Sequence, residues 1–147
     1  MDWCNEYKVG FSANSDMHPA SGTVYRAKME RPMTLVFAKD ASEEAIKEAV
    51  QSGRTMAYFW NYLAGNEKLM DAMVKQCISV KVLDAKKGII EVHNASDIQF
   101  QIKYGQLEYS YILHPNEALL VTLKKGTNVE FTNCFIGKFK HYSTKIW

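Results

Sequence analysis

From Ile78 to Trp147 the chain carries no helical period. Short β-type runs follow one another instead: Ser79–Leu83, Ile89–His93, Ile98–Lys103, Leu107–Leu113, Ala118–Leu123, Asn128–Thr132 and Lys138–Ile146. Turn-forming stretches separate them, among them Asp84 to Gly88, Asn94 to Asp97, His114 to Glu117, Lys124 to Gly126 and Asn133 to Gly137. Apolar and polar residues alternate in Ile98 to Ile102 and in Val129 to Phe131, which gives each strand one buried and one wet face. Strands this short, spaced roughly ten residues apart, predict an antiparallel Ig-like β-sandwich over 78–147.

The residues before this point read differently. Residues 1–8 look like the end of a helix, with Trp3 and Cys4 on one side. Lys8 to Ser12 is short and β-compatible, and Asn14 to Glu30, with Pro19, Ser21 and Gly22, reads as a long loop. Met33 to Ala38 is an apolar strand candidate with β-branched Thr34 and Val36. Asp40 or Ser42 can cap the helix that follows, Glu43 and Glu44 suit its first turn, and Gly53 ends it. Its apolar stripe is Ala45, Ile46, Ala49 and Val50. Thr55 to Trp60 is a second strand. Strand, helix, strand over this length predicts a βαβ unit with parallel strands. Another helix opens at Gly65-Asn66, and Leu69, Met70, Met73, Val74 and Cys77 form its core-packing face. The pattern change places a domain boundary at 77/78, and the class as a whole is α+β.

Bulk properties exclude several functions. A chain of 147 residues, 47% hydrophobic and 12% aromatic, can build a packed core. Eighteen basic and 16 acidic residues leave a net charge of only +2, well mixed, which disfavours a dedicated nucleic-acid surface. Lys124-Lys125 and Lys138/Lys140 read as solvated strand ends. No apolar run is long enough for a membrane span, and the N-terminus has no signal-peptide pattern. Cys4, Cys77 and Cys134 are odd in number and widely spaced, so no disulfide framework is expected.

The chemistry concentrates in Asn14-Ser15-Asp16-Met17-His18, at the end of an apolar stretch holding Val9 and Phe11. A carboxylate and an imidazole two residues apart, just past a strand, can face one pocket and hold a divalent ion. Arg31 to Ala38, the capped helix and Gly53-Arg54-Thr55 follow in order. Over roughly residues 1–77 this ordered set resembles the C-terminal end of the polymerase-and-histidinol-phosphatase (PHP) family of metal-dependent phosphoesterases. It is similar in particular to phosphodiesterases that carry an added C-terminal β domain.

The resemblance implies that 1–77 is the C-terminal piece of a PHP-like α/β barrel and 78–147 an accessory β domain. It implies Asp16 and His18 as ligands of zinc, manganese or iron, with Asn14 and Ser15 orienting them through hydrogen bonds. The ions of such a site polarise a phosphoryl group and lower the pKa of a bound water. Arg26 and Arg31 are candidate substrate-binding residues, because guanidinium matches phosphate geometry; solvated loop arginines are the plainer alternative. The family builds its site from many ligands and opens with a His-x-His pair. This chain has only His18, His93, His114 and His141. The expectation is therefore the last part of a phosphoester hydrolase, incomplete and inactive as an isolated chain. An N-terminal barrel portion, or another copy joined through residues 30–77, would complete it. The alternative is a non-enzymatic structural or interaction module built on the β-sandwich.

Other residues carry less. Arg54, after the helix-ending glycine, suits a structural contact. His93, His114 and His141 fit no ligand spacing. Tyr104, Tyr109 and Tyr111 make either an aromatic platform of the kind that binds sugars or ordinary sheet packing. Asn94-Ala-Ser96 matches a glycosylation sequon, which means little without a secretory context.

Overall fold

The computed structural model describes residues 2–7, 9–15 and 31–147. It divides into two compact units, Met1–Asn66 and Glu67–Trp147. The division falls before the 77/78 change of pattern, so the helix preceding Ile78 belongs with the strands that follow it.

In the first unit a short helix, α1 (Asp2–Glu6), precedes β1 (Met33–Val36), α2 (Glu43–Gln51), β2 (Thr55–Phe59) and β3 (Tyr62–Ala64). The α2 N-terminus forms as its sequence dictates. Ser42 Oγ accepts the Ala45 N–H at 3.3 Å, and Asp40 Oδ1 accepts the Ser42 N–H at 2.9 Å. Gly53, with φ of 68°, ends the helix, and the Arg54 N–H returns to the Ala49 carbonyl. Of the apolar stripe only Ala49 is buried; Ile46 and Val50 are exposed.

The βαβ expectation fails here. Strands β1 and β2 pair antiparallel, with Met33 opposite Tyr58 and Val36 opposite Thr55. The Phe37 N–H donates to the Arg54 carbonyl at 3.0 Å, which extends that ladder past the strand ends. Helix α2 thus leaves and returns at the same end of β1, where a parallel crossover would return at the other. β3 continues the meander, antiparallel to β2, through a turn in which Trp60 and Asn61 both take positive φ. The chain is mostly β and is not a portion of a PHP-type α/β barrel. The α+β class expected from the sequence, a barrel-derived βαβ segment ahead of an Ig-like β-sandwich, is overturned by these pairings.

The second unit begins with α3 (Glu67–Cys77), which buries Met70, Met73 and Val74. Strands β4 (Ile78–Asp84), β5 (Ile89–Asn94) and β8 (Ala118–Thr122) form one antiparallel sheet in the order β4-β5-β8. In the other, β9 (Asn128–Gly137) lies between β10 (Lys140–Lys145) and β6 (Phe100–Tyr104), and β6 pairs onward with β7 (Tyr111–Leu113). Phe100, Ile102, Val129 and Phe131 of this sheet and Ile90 of β5 are among the buried side chains of the unit. Phe131 meets Phe100 edge to face, with ring centroids 5.8 Å apart.

Two buried asparagines complete this core. Asn94, fully buried, donates from Nδ2 to the Ile98 carbonyl (2.7 Å) and the His114 carbonyl (3.0 Å). Its Oδ1 accepts from the Ser96 N–H and Oγ. The amide nitrogen of the sequon is therefore a structural donor. Asn133, expected in a turn, sits inside β9. Its Oδ1 accepts the Gln101 N–H at 2.9 Å and its Nδ2 donates to the Gln99 carbonyl at 2.8 Å, so the side chain replaces a peptide group in the ladder to β6.

Gly88 closes the β4–β5 turn with φ of 70°, and a Cβ there would lie 2.7 Å from the Leu123 carbonyl oxygen. Gly126 also has positive φ but has open space around it. We expect Gly88→Ala to cost about 1–3 kcal/mol and Gly126→Ala about 1 kcal/mol. Urea unfolding followed by circular dichroism measures both. An equal cost at the two positions would mean that the close approach at Gly88 is not felt.

Candidate functional site

Asp16, His18 and Arg26 lie outside the described residues. The segment that leads to them is anchored. Gly10 packs so closely on Gly53 and the Thr55 side chain that a Cβ would not fit without a shift. Thr34 Oγ1 accepts the Ala13 N–H at 3.0 Å and donates to the Ala13 carbonyl at 3.2 Å. One β1 hydroxyl thus holds the chain immediately before the Asn14-Ser15 pair. Asn14 is exposed; Ser15 and Arg31 are half-buried.

Among the described residues no group of three or more His, Cys, Asp or Glu side chains could hold a metal ion. The described histidines are dispersed. His141 Nδ1 sits 2.6 Å from Glu130 Oε1, with its ring against Phe135 at 4.8 Å. Arg54 is bound into structure: its Nε donates to the Phe37 carbonyl, and its guanidinium grips Glu48. Hydrogen bonds from Arg54 and Ser52 hold the Glu48 carboxyl down at about 2.

The structure does bring the three tyrosines together. Tyr104 and Tyr111 stack at 5.9 Å with an interplanar angle of 15°, and Tyr109 meets Tyr111 edge-on at 5.5 Å. Burial raises the Tyr104 phenol, and the hydrogen bond with Tyr109 raises that of Tyr111, so both stay protonated at neutral pH. Tyr109 is 63% exposed. Register explains the cluster: Ile102 faces Tyr111 across β6 and β7, so Tyr104 and Tyr111 share the face that carries Phe100. Stacking among the rings is packing at the end of the core, with one ring at the surface.

A second polar grouping ties α3 to β10. The buried Tyr142 hydroxyl donates to Asp71 Oδ1 at 2.6 Å, and Lys75 Nζ lies 2.8 Å from Asp71 Oδ2. Burial first, and then the Asp71 carboxylate, push the Tyr142 phenol up to about 12. The Cys134 thiol is likewise pushed up to about 12 by burial, which keeps it unreactive. Cys4 and Cys77 are free thiols as well.

A basic grouping emerges that the sequence showed only in part, as Lys124-Lys125. Lys86, Lys87, Lys124 and Lys125 line a concavity of about 460 Å³ together with Gly88 and Trp147. Each lysine pair sits on a turn. The antiparallel β5–β8 register, with Ile89 opposite Thr122, sets the two turns side by side. Only the strand pairing carried this signal, because the pairs are far apart in sequence.

No family model matches this chain, and no curated protein does. Its fold is similar to a crystal structure from Bacteroides vulgatus, described as a two-domain protein containing a predicted PHP-like metal-dependent phosphoesterase. The TM-score is 0.84 at 25% identity, over 99% of this chain and 47% of that one. The chain thus spans about half the length of the structure it matches. Among the described residues no helix is long and apolar enough to cross a membrane.

Tyr142 gives a pH prediction. Its folded pKa lies above the unfolded value near 10, so its contribution is complete below that pH and is lost as pH rises toward about 12. We expect Tyr142→Phe to reduce the alkaline loss of stability between these values, leaving the part that Cys134, Tyr104 and Tyr111 carry. Unchanged alkaline unfolding in the variant would show that Tyr142 is not the group responsible.

Proposed function

We propose that this chain is part of a PHP-like metal-dependent phosphoester hydrolase and that the isolated chain does not turn over phosphoesters. The observation that carries the reading is the structural likeness, which spans nearly the whole of this chain but only 47% of a two-domain phosphoesterase-containing protein. The other metal ligands would come from a second copy of the chain or from the rest of such an enzyme. In this reading Asp16 and His18 contribute a carboxylate and an imidazole to a zinc, manganese or iron site. Asn14 and Ser15 orient that pair, and Arg26 and Arg31 meet the phosphoryl oxygens. Residues 78–147 act as an accessory β domain. The anchoring of Ala13 to Thr34 supports a fixed approach to the Asn14-to-His18 run.

The second reading is a non-enzymatic module, in which the chain corresponds to the non-catalytic part of a two-domain protein. Its mostly β architecture favours this, since the barrel of a PHP enzyme is α/β.

Metal analysis after chelation and reloading with manganese or zinc separates the two, with Asp16→Ala/His18→Ala as the comparison. The hydrolase reading predicts bound metal that the double variant loses, with the site completed between copies of the chain, and phosphodiesterase activity below detection for the monomer. Equal metal in both proteins, or none in either, favours the non-enzymatic module.

A further inference from the structure

We propose that the lysine-rimmed concavity of the second unit binds a ligand carrying two or more adjacent phosphoryl groups, with the attached ring or sugar resting on Trp147. Four lysines from two turns, Lys86-Lys87 and Lys124-Lys125, line one space of about 460 Å³, within the range of small-molecule sites. The arrangement is built by the backbone. The Leu123 N–H donates to the Gly88 carbonyl at 2.8 Å, and Gly88 has no Cβ to hold the two turns apart. The Trp147 carbonyl accepts the Gly126 N–H at 2.8 Å, which holds the backbone of the half-buried Trp147 beside the second pair.

Charge makes this more than two solvated turns. Four cations lining one space concentrate positive potential there, which favours an anionic ligand at low ionic strength. Asp84 is paired with one of the four, Lys87. Asp84 Oδ1 accepts the Lys86 and Lys87 N–H groups at 3.0 Å each, and Asp84 Oδ2 stands 3.9 Å from Lys87 Nζ. Lysine ammonium groups are compact charges on flexible stems, suited to phosphoryl oxygens spread over more than one centre. A single phosphate carries at most about two charges, so adjacent phosphoryl groups match four lysines better. The indole adds a flat apolar surface on which a base or sugar ring can stack. This inference does not depend on the metal-site reading: it concerns other residues and holds or fails separately.

The test titrates the full chain at low ionic strength with inorganic pyrophosphate, ADP and a sulfated disaccharide, following the backbone amide shifts of Gly88, Leu123 and Gly126. Pyrophosphate and ADP are expected to shift these signals, ADP at lower concentration, and both to weaken as salt is added. Lys86→Gln/Lys87→Gln and Lys124→Gln/Lys125→Gln should each weaken both ligands roughly tenfold or more. Trp147→Ala should weaken ADP alone, to the level of pyrophosphate. Thermal unfolding of each variant verifies that it is folded. The proposal is overturned if neither phosphoryl ligand binds, if binding survives both double substitutions, or if the sulfated disaccharide binds in preference to pyrophosphate. ADP no tighter than pyrophosphate overturns the role of Trp147.

Discussion

Strand β9 is paired on both sides, and the second unit depends on it. Its outer neighbour β10 and its inner neighbour β6 both run antiparallel to it. Phe131 stands at the crossing, against Phe100 of β6 and against Tyr142 of β10, its direct cross-strand partner. Burying a side chain of this size is worth about 1.5–3 kcal/mol before packing is counted. Two irregularities adapt the strand to its neighbours. The Asn133 amide takes over the ladder to β6, and a register shift around His141 carries β10 from Phe135 to Phe131. That shift sets Tyr142 where its hydroxyl reaches Asp71, which fastens α3 to the same strands.

What could be read in the sequence was what local chemistry decides. The runs at Ser79, Ile89 and Ala118 became β4, β5 and β8 because alternation and turn residues act within a few residues. Ser42 and Gly53 closed α2 for the same reason. Strand direction was not legible. A strand, a helix and a strand look the same in sequence whether the second strand returns parallel or antiparallel. Here the turn at Gly53-Arg54 re-enters beside Phe37, and the pairing became antiparallel. Asn133 misled because asparagine usually marks a turn. Only a facing strand with free main-chain groups at Gln99 and Gln101 makes it a strand residue.

The candidate sites divide along the same line. The Asn14-to-His18 run was visible as a motif; of its residues the structure describes Asn14 and Ser15, which follow the Ala13–Thr34 hydrogen-bond pair. The tyrosine cluster was half legible, since the sequence supplied the aromatics and the register supplied their contact. The lysine concavity was not legible, because its two halves meet only through the β5–β8 pairing.

The dependence on β9 is tested most directly by amide hydrogen exchange on the full chain under native conditions. The account predicts that the amides of β9 and of its partners in β6 and β10 exchange slowest, and together, as one cooperative unit. Exchange in β9 as fast as in the β4–β5 turn, or a slowest block confined to β4, β5 and β8, would contradict it.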